Sequence, residues 1–123
     1  MLNELATTIH ENAKAHGFYD DEKVNIPEKL MLIVSELGEA MEAYRNGKMN
    51  PNIKAFEFMR TQPLYTFDQA FRDFVKDYME DELADVIICL LGLCGYMKID
   101  IEKHIELKMK YNESRPYKHG KIR

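Results

Sequence analysis

The fold of this 123-residue chain is decided by residues 27–46, which read PEKLMLIVSELGEAMEAYRN. Apolar side chains recur in this stretch every three or four residues, which is the period of an α-helix. They form one stripe, made of Leu30, Ile33, Val34, Leu37, Met41 and Tyr44. Because Leu32, Ala40 and Ala43 lie on other sides of the helix, we expect it to pack between neighbouring helices.

Helical spacing covers most of the remaining chain. The pattern predicts four main helices, at residues 2–16, 27–46, 67–97 and 101–112. Gly17 and Gly47 are expected to end the first two helices, and Asp100 is expected to cap the fourth. No stretch alternates between apolar and polar residues as a strand does, so the predicted fold class is all-α.

The connection 48–66 contains two prolines and no sustained period, although Phe56, Phe58 and Met59 are compatible with a short packed helix. The length suits a single domain over residues 1–123, which ends in a basic tail at residues 113–123. Hydrophobic residues make up 46% and charged residues 31%, a balance that is typical of a globular chain and excludes a disordered one.

Charge is unevenly distributed along the chain. The formal net charge is −4, yet residues 108–123 hold six Lys or Arg side chains against one acid, Glu113. An acidic body with a basic tail disfavours a general nucleic-acid binder, which needs a broad basic face. The tail can still hold one small anion.

The longest apolar stretch, residues 86–97, has 12 residues and is too short to cross a membrane. The first residues lack the basic and apolar regions of a signal peptide. Cys89 and Cys94 point in different directions on a helix, so we expect reduced thiols rather than a disulfide. These features together predict a cytoplasmic protein.

Two pairs of carboxylates lie on helices that should be largely buried. Glu36 and Glu39 share the small-residue side of the helix at 27–46. Glu82 and Asp85 lie where the next helix turns apolar nearly all round, on a stripe that continues through Cys89, Gly92 and Tyr96. A spacing of three lets both members of a pair reach one point, and an ionised carboxylate on an apolar stripe is costly unless it is paired or binds a metal. The alternative is that both pairs are solvated faces that form salt bridges with lysines.

Four carboxylates from two helices make an all-oxygen site, which suits Mg²⁺ or Mn²⁺ rather than Zn²⁺ or copper. A ferritin-like di-iron site is excluded, because none of the four histidines follows a Glu at the required spacing. Mg²⁺ in such sites leaves coordination positions for water and substrate phosphates, for which the basic tail supplies the complementary charge. The alternative for the tail is a frayed terminus.

These residues resemble the MazG-like all-α NTP pyrophosphatases. The motifs ELGE at residues 36–39 and ELAD at residues 82–85 are similar to that family's ExxE and ExxD signature, in the same order. The segment KMKYNESR at residues 108–115, with HGK at residues 119–121, is similar to its C-terminal substrate-binding segment. The resemblance covers residues 9–121.

The resemblance implies a helical bundle completed by oligomerisation, as a homodimer or a homotetramer. It also implies Mg²⁺-dependent hydrolysis of a (deoxy)nucleoside triphosphate to the monophosphate and pyrophosphate. The implied metal ligands and catalytic residues are Glu36, Glu39, Glu82 and Asp85. The implied phosphate contacts are Lys108, Asn112, Arg115 and Lys121, and the implied base contacts are His10 with Phe18 or Tyr19. The alternative for His10 is an ordinary surface or interface histidine.

Several alternatives stay open. The interval between Glu39 and Glu82 is longer than in the smallest family members. Three alternatives for the extra segment are a lid over the base, an interface element and a part of the bundle packing. The substrate is a nucleoside triphosphate or another nucleotide such as phosphoribosyl-ATP. A non-catalytic helical adaptor or regulator, whose acids and basic tail meet charged partners, is the alternative from a different class.

Overall fold

The computed structural model of the chain describes residues 1–19 and 24–116. These residues form six α-helices and no strand, which confirms the predicted all-α fold class. The helices are α1 (Leu2–Ala15), α2 (Ile26–Arg45), α3 (Ile53–Met59), α4 (Phe67–Phe74), α5 (Met79–Met97) and α6 (Ile101–Glu113). None of them has the length and apolar character needed to cross a membrane. Lys121 and the rest of the predicted basic tail beyond residue 116 lie outside the described residues.

Most helix ends form where local chemistry predicts them. Pro27 occupies the first turn of α2, where its missing N–H costs nothing. Gly17 and Gly47 follow α1 and α2 with φ angles of +85° and +71°, a left-handed conformation that glycine adopts without a steric penalty. Asp100 caps α6 as predicted, because its carboxylate accepts a hydrogen bond from the Lys103 N–H at 3.1 Å.

The predicted continuous helix over residues 67–97 is wrong. Two helices occupy this range, since α4 ends at Phe74 and α5 begins at Met79. Asp77 between them has a left-handed φ of +67°, which a continuous α-helix does not allow. Its N–H donates to the Asp81 carboxylate at 3.0 Å, which satisfies a backbone donor near the start of α5. No glycine or proline marks this turn, so the helical spacing continues through it.

The connection 48–66 contains the short helix expected around Phe56, which is α3. The buried Phe56 ring meets the Phe67 ring of α4 edge-on, with 5.6 Å between the centroids. The Arg60 guanidinium lies over both rings, 5.5 Å and 5.1 Å from their centroids. These contacts pack α3 directly on α4.

The chain groups into two compact units, each with its own internal contacts. The first unit is made of Met1–Glu22 and Leu91–Arg123, and the second is Lys23–Leu90. The core of the first unit consists of Ala6, Leu91 and Cys94, against which Leu2, Ile9 and Ile101 pack.

Gly95 lets α1 approach α5 closely in the first unit. A Cβ atom at this position would lie 2.4 Å from the Ala6 carbonyl oxygen and 2.9 Å from the His10 Cβ. Because protein atoms do not pack that closely, the contact requires a residue without a side chain. The same contact holds His10 against α5.

A hydrogen-bonded junction joins the starts of α1 and α6. The Asn3 side-chain amide donates to the Asp100 carboxylate at 2.8 Å. The Asn3 N–H donates to the Glu102 carboxylate at 2.9 Å, and the Glu102 N–H donates to the Asn3 amide oxygen at 3.3 Å. The Glu102 carboxylate also accepts from the Met1 amino group. This exchange satisfies backbone donors that the first turns of both helices leave open.

In the second unit, α2 leaves its apolar stripe exposed. Five of the six stripe residues are between 48% and 56% exposed, and the sixth, Ile33, is half-buried; the five are Leu30, Val34, Leu37, Met41 and Tyr44. The described residues of this chain therefore do not provide the expected neighbours on that side of α2. Burial of α5 from Val86 onward was also expected, and this is wrong for the single chain, which exposes Ile87, Ile88 and Leu90 and buries residues 91–94.

Candidate metal centre

The four predicted metal ligands all lie in the second unit, on two helices. Glu36 and Glu39 are three residues apart on α2, and Glu82 and Asp85 are three residues apart near the start of α5. Residues at this spacing share one helix face, because an α-helix turns once in 3.6 residues. Each helix therefore presents two carboxylates in one direction.

The structure brings these carboxylates together. Glu36, Glu82 and Asp85 each place one carboxylate oxygen so that the three oxygens lie within 4.8 Å of one another. Glu39 lies beside this group, since it contributes to the raised pKa values of both Glu36 and Glu82. Hard divalent cations take such oxygen ligands, so the donor set fits Mg²⁺ or Mn²⁺.

Glu82 is the buried member of the centre, with 8% of its surface exposed. Burial raises its pKa, as do the hydrogen bond to Glu39 and the negative charges of Glu39, Asp81 and Asp85. The combined effect raises the pKa of Glu82 to about 7. Glu82 is therefore partly protonated at neutral pH unless a cation binds beside it.

The pKa values of Glu36 and Asp85 are also raised by burial and by the neighbouring carboxylates. Burial raises the pKa of Glu36 most, followed by the hydrogen bond and the charge of Glu39 and by the charge of Asp85. Burial also raises the pKa of Asp85, followed by the charges of Asp81 and Glu39. Asp85 itself is exposed in the single chain, so its predicted place on a dry stripe is wrong. Along the same stripe, Cys89 is half-buried and Gly92 is buried, so burial of this stripe begins after Asp85.

The acidic group extends beyond the predicted residues. Asp77, Asp81 and Glu82 also place carboxylate oxygens within 4.8 Å of one another. Two of these acids have ordinary partners, since Asp77 pairs with the Lys76 ammonium at 3.1 Å and Asp81 accepts the Asp77 N–H. Sequence reasoning missed Asp81, although its position next to Glu82 was the available signal. Its charge adds to the crowding of Glu82 and Asp85.

Both cysteines are free thiols, as expected. Cys89 lies one helical turn after Asp85, and burial raises the pKa of its thiol most, followed by the charges of Glu36 and Asp85. Burial also raises the pKa of Cys94. The thiol next to the acidic centre therefore stays protonated at neutral pH.

Of the predicted phosphate-binding residues, the three that the structure describes, Lys108, Asn112 and Arg115, lie on and just after α6 in the first unit. The Lys108 ammonium is 5.2 Å from the centroid of the Tyr111 ring, and the Arg115 guanidinium carbon is 5.5 Å from the same centroid. Asn112 lies between them along the chain and is half-buried. The structure therefore brings Lys108 and Arg115 to one aromatic ring. Sequence reasoning missed Tyr111, whose helical spacing of three from Lys108 was the signal.

His10 belongs to a group of three rings in the first unit. It meets Tyr19 edge-on at 4.7 Å between centroids and Tyr96 edge-on at 5.8 Å. Tyr19 and Tyr96 stack on each other at 5.1 Å. The His10 Nδ1 atom is buried and has no hydrogen-bond partner among the described residues. Phe18, in contrast, is 70% exposed, so of the two predicted aromatics Tyr19 is the one that contacts His10.

Comparisons of the chain with protein-family models, with curated proteins and with solved structures found no match.

Proposed function

We propose that this protein is a Mg²⁺-dependent nucleotide pyrophosphohydrolase of the MazG-like type. It hydrolyses a (deoxy)nucleoside triphosphate to the monophosphate and pyrophosphate. The observation that carries the proposal is the convergence of the Glu36, Glu82 and Asp85 oxygens within 4.8 Å of one another, with Glu39 beside two of these acids.

A bound cation explains why the chain tolerates this arrangement. Carboxylates that meet without a positive partner repel one another, and burial makes their ionised forms costly. A divalent cation offsets both costs at once, because it binds the ionised carboxylates. The raised pKa of Glu82, about 7, is the signature expected of such a centre before the cation binds.

Mg²⁺ bound at this centre would supply a water of lowered pKa and would neutralise the charge that develops on the phosphate oxygens. Glu36, Glu82 and Asp85 would hold the ion. Glu39 would orient the attacking water and accept its proton, since its carboxyl group lies beside Glu36 and Glu82 and raises the pKa of both. Attack of this water on the α-phosphorus would break the bond to the bridging oxygen, so that pyrophosphate leaves.

The remaining predicted residues bind the substrate. The positive side chains Lys108, Arg115 and Lys121 contact the phosphates, together with the amide of Asn112. His10 and Tyr19 contact the base, and the unpartnered Nδ1 of His10 supports this role because it is a free hydrogen-bonding atom among aromatic rings. Base and sugar preference depend on these two residues in the proposal.

We further propose that the protein is a homodimer or homotetramer, in which another copy covers the apolar stripe of α2. The support is the continuous run of half-exposed apolar side chains along α2, which is unusual on a surface that faces water. The same stripe favours a second candidate function. A non-catalytic adaptor that binds a partner helix would expose such a stripe as well.

Pyrophosphate release from a panel of canonical and modified nucleoside triphosphates, with phosphoribosyl-ATP included, tests the activity. We expect Mg²⁺-dependent release from at least one member and none in excess EDTA. Glu82→Gln should lower the rate at least about 100-fold, because it removes a ligand of the ion that stabilises the transition state.

The matched control is Glu42→Gln. Glu42 lies on α2 one turn beyond Glu39 and is held by Arg45 at 3.7 Å, so this variant removes one charge from the same helix without touching the centre. It should keep activity within about twofold of the parent. A folded protein that releases no pyrophosphate from any nucleotide contradicts the enzyme and leaves the adaptor. Full activity in Glu82→Gln contradicts the role of Glu82 as a ligand of the ion.

A further inference from the structure

Lys48 joins the end of α2 to the start of α5 through its backbone. Its N–H donates to the Ala43 carbonyl oxygen of α2 at 2.9 Å, and its carbonyl oxygen accepts the Met79 N–H of α5 at 2.8 Å. The Lys48 ammonium also lies 5.4 Å from the centroid of the Tyr78 ring, within the roughly 6 Å over which a cation is attracted to an aromatic face. The two helices joined in this way are the two that carry the predicted metal ligands.

Glu80 holds the next part of this connection against α5. Its Oε2 atom accepts a hydrogen bond from the Asn50 N–H at 2.8 Å. Asn50 has a left-handed φ of +59°, and asparagine is one of the few residues other than glycine that adopt this conformation readily. Residues 48–50 together with Glu80 are called the clip below, because they hold the chain that leaves α2 against the first turn of α5.

Glu80 itself points away from the acidic centre. It lies two residues before Glu82, and residues at this spacing do not share a helix face. Its carboxylate oxygens are not among those that converge within 4.8 Å in the described part of the chain. Its Oε1 atom is buried and has no hydrogen-bond partner among the described residues, which is costly for a carboxylate. Stabilisation of the fold alone therefore does not account for an acid at this position.

We propose that Glu80 is a positioning residue for the acidic centre. Its bond to the Asn50 N–H keeps the clip closed, and the clip fixes the end of α2 relative to the start of α5. The two pairs of carboxylates are then close to each other before a cation binds, so less ordering entropy is lost on binding. This role rests on the cation binding of the proposed function and is independent of the hydrolytic step.

Binding of Mn²⁺ to the full chain, measured from the electron paramagnetic resonance signal of the free ion, tests this role without any turnover. Glu80→Ala should weaken binding about tenfold, because loss of a group that supports metal ligands from outside typically costs roughly 10- to 100-fold in affinity. Glu80→Gln should stay within about threefold of the parent, since its amide oxygen still accepts the Asn50 N–H. Equal losses of affinity in the two variants would mean that the charge of Glu80 acts on the ion, and would overturn the proposal.

Asn52→Ala is the matched control in the same connection. The Asn52 side chain caps α3 by accepting the Ala55 N–H at 3.0 Å, and it lies outside the clip. This variant should lower the melting temperature through loss of the cap and leave the affinity for Mn²⁺ unchanged. A loss of affinity as large as that in Glu80→Ala would show that any loosening of the connection has this effect, which is incompatible with a specific role of Glu80.

A second pair of variants acts from Asn50 and tests the clip even if Glu80→Ala does not fold. Asn50→Val disfavours the φ of +59° and should weaken Mn²⁺ binding, whereas Asn50→Gly adopts that conformation freely and should bind as the parent does. In a Glu80→Ala background, Asn50→Val should lose less affinity than it does in the parent, because the bond that it strains is already gone. Parental binding in Asn50→Val, or full additivity of the two losses, would contradict the clip.

The outcome is distinguishable from the fate of the proposed activity. Mn²⁺ binding that depends on Glu80, in a protein that releases no pyrophosphate, keeps Glu80 as a positioning residue and rejects the pyrophosphohydrolase. Pyrophosphate release together with equal Mn²⁺ binding in Glu80→Ala and the parent does the reverse. Absence of Mn²⁺ binding by the parent overturns the positioning role.

Discussion

Carboxylates gather in two regions of this molecule, and their pKa values move in opposite directions. At the junction of α1 and α6, the Asn3 amide and then the Lys103 N–H lower the pKa of Asp100. In the acidic centre, burial, the hydrogen bond to Glu39 and neighbouring negative charges raise the pKa of Glu82. The residue types are nearly the same, so the difference lies in their partners.

Only one of the two regions has partners within the chain for its carboxylates. The junction contains the donors that its carboxylates need, so its charges are satisfied within the chain. The centre consists of carboxylates that meet other carboxylates. A bound cation would offset the cost of such a group near a buried position, which is why we propose the metal there and not at the junction.

The largest stability effect should come from adding one methyl group where α1, the helix that carries the junction residue Asn3, packs against α5. Gly95→Ala should destabilise the protein by about 2–4 kcal/mol, because the new Cβ would lie 2.4 Å from the Ala6 carbonyl oxygen. The clash forces α1, which carries Asn3 and His10, away from α5. Denaturant unfolding followed by circular dichroism measures the change.

Gly38→Ala is the matched control for this substitution. Gly38 lies on α2 between Glu36 and Glu39, and a Cβ there meets nothing within 4 Å. Its alanine variant should be neutral or stabilised by about 0.5–1 kcal/mol, since alanine favours the helix. Equal losses of stability in Gly95→Ala and Gly38→Ala would show that the close approach of α1 to α5 is not what makes the added methyl group costly.

Removing one carboxylate should change the stability of the metal-free protein in opposite directions in the two regions. Glu82→Gln should stabilise the metal-free protein at pH 8 by about 1–2 kcal/mol, because it removes a crowded charge and its amide can donate to Glu39. Asp100→Ala should destabilise it, because the Asn3 amide and the Lys103 N–H lose their acceptor. Melting temperatures at pH 8 in EDTA measure both, and a loss of stability in Glu82→Gln would contradict the crowding.

The pH dependence of stability follows from the directions in which the pKa values of Glu82 and Asp100 are shifted. The pKa of Glu82 is raised from its ordinary value of 4.5 to about 7 in the folded protein. The folded state therefore binds this proton more tightly than the unfolded state, which stabilises the metal-free protein. This stabilisation is full below pH 4.5 and is lost as the pH rises to about 7. Asp100 acts in the opposite sense, and its contribution disappears as the pH falls through its lowered pKa. Metal-free stability should therefore peak at mildly acidic pH, and Glu82→Gln should flatten the alkaline side of the curve.

Much of the fold is predictable from local chemistry. Gly17, Gly47 and Asp100 mark helix ends whose geometry depends on one or two residues, and the structure confirms them. The turn at Asp77 was missed, because it is formed by a non-glycine residue in a left-handed conformation and capped by an acid four residues later. No local composition signal marks such a turn.

The candidate site was predictable in part for a similar reason. Residues three apart on a helix must share a face, so the sequence alone pairs Glu36 with Glu39 and Glu82 with Asp85. The roles of Tyr96 and Tyr111 depend on where rings and cations meet in space, which spacing alone does not determine. The exposure of the α2 stripe was equally out of reach, because periodicity shows which face is apolar but not which chain covers it.

The central claim is that the acidic centre binds a divalent cation through Glu82, and a Mg²⁺ titration of the melting temperature tests it most directly. At pH 8, Mg²⁺ at a hundred times its dissociation constant should stabilise the parent protein by about 2.7 kcal/mol. The shift should shrink at pH 6, where protons compete for Glu82, and nearly vanish in Glu82→Gln while Glu42→Gln keeps it. No shift in the parent at pH 8, or an equal shift in Glu82→Gln, would contradict the claim.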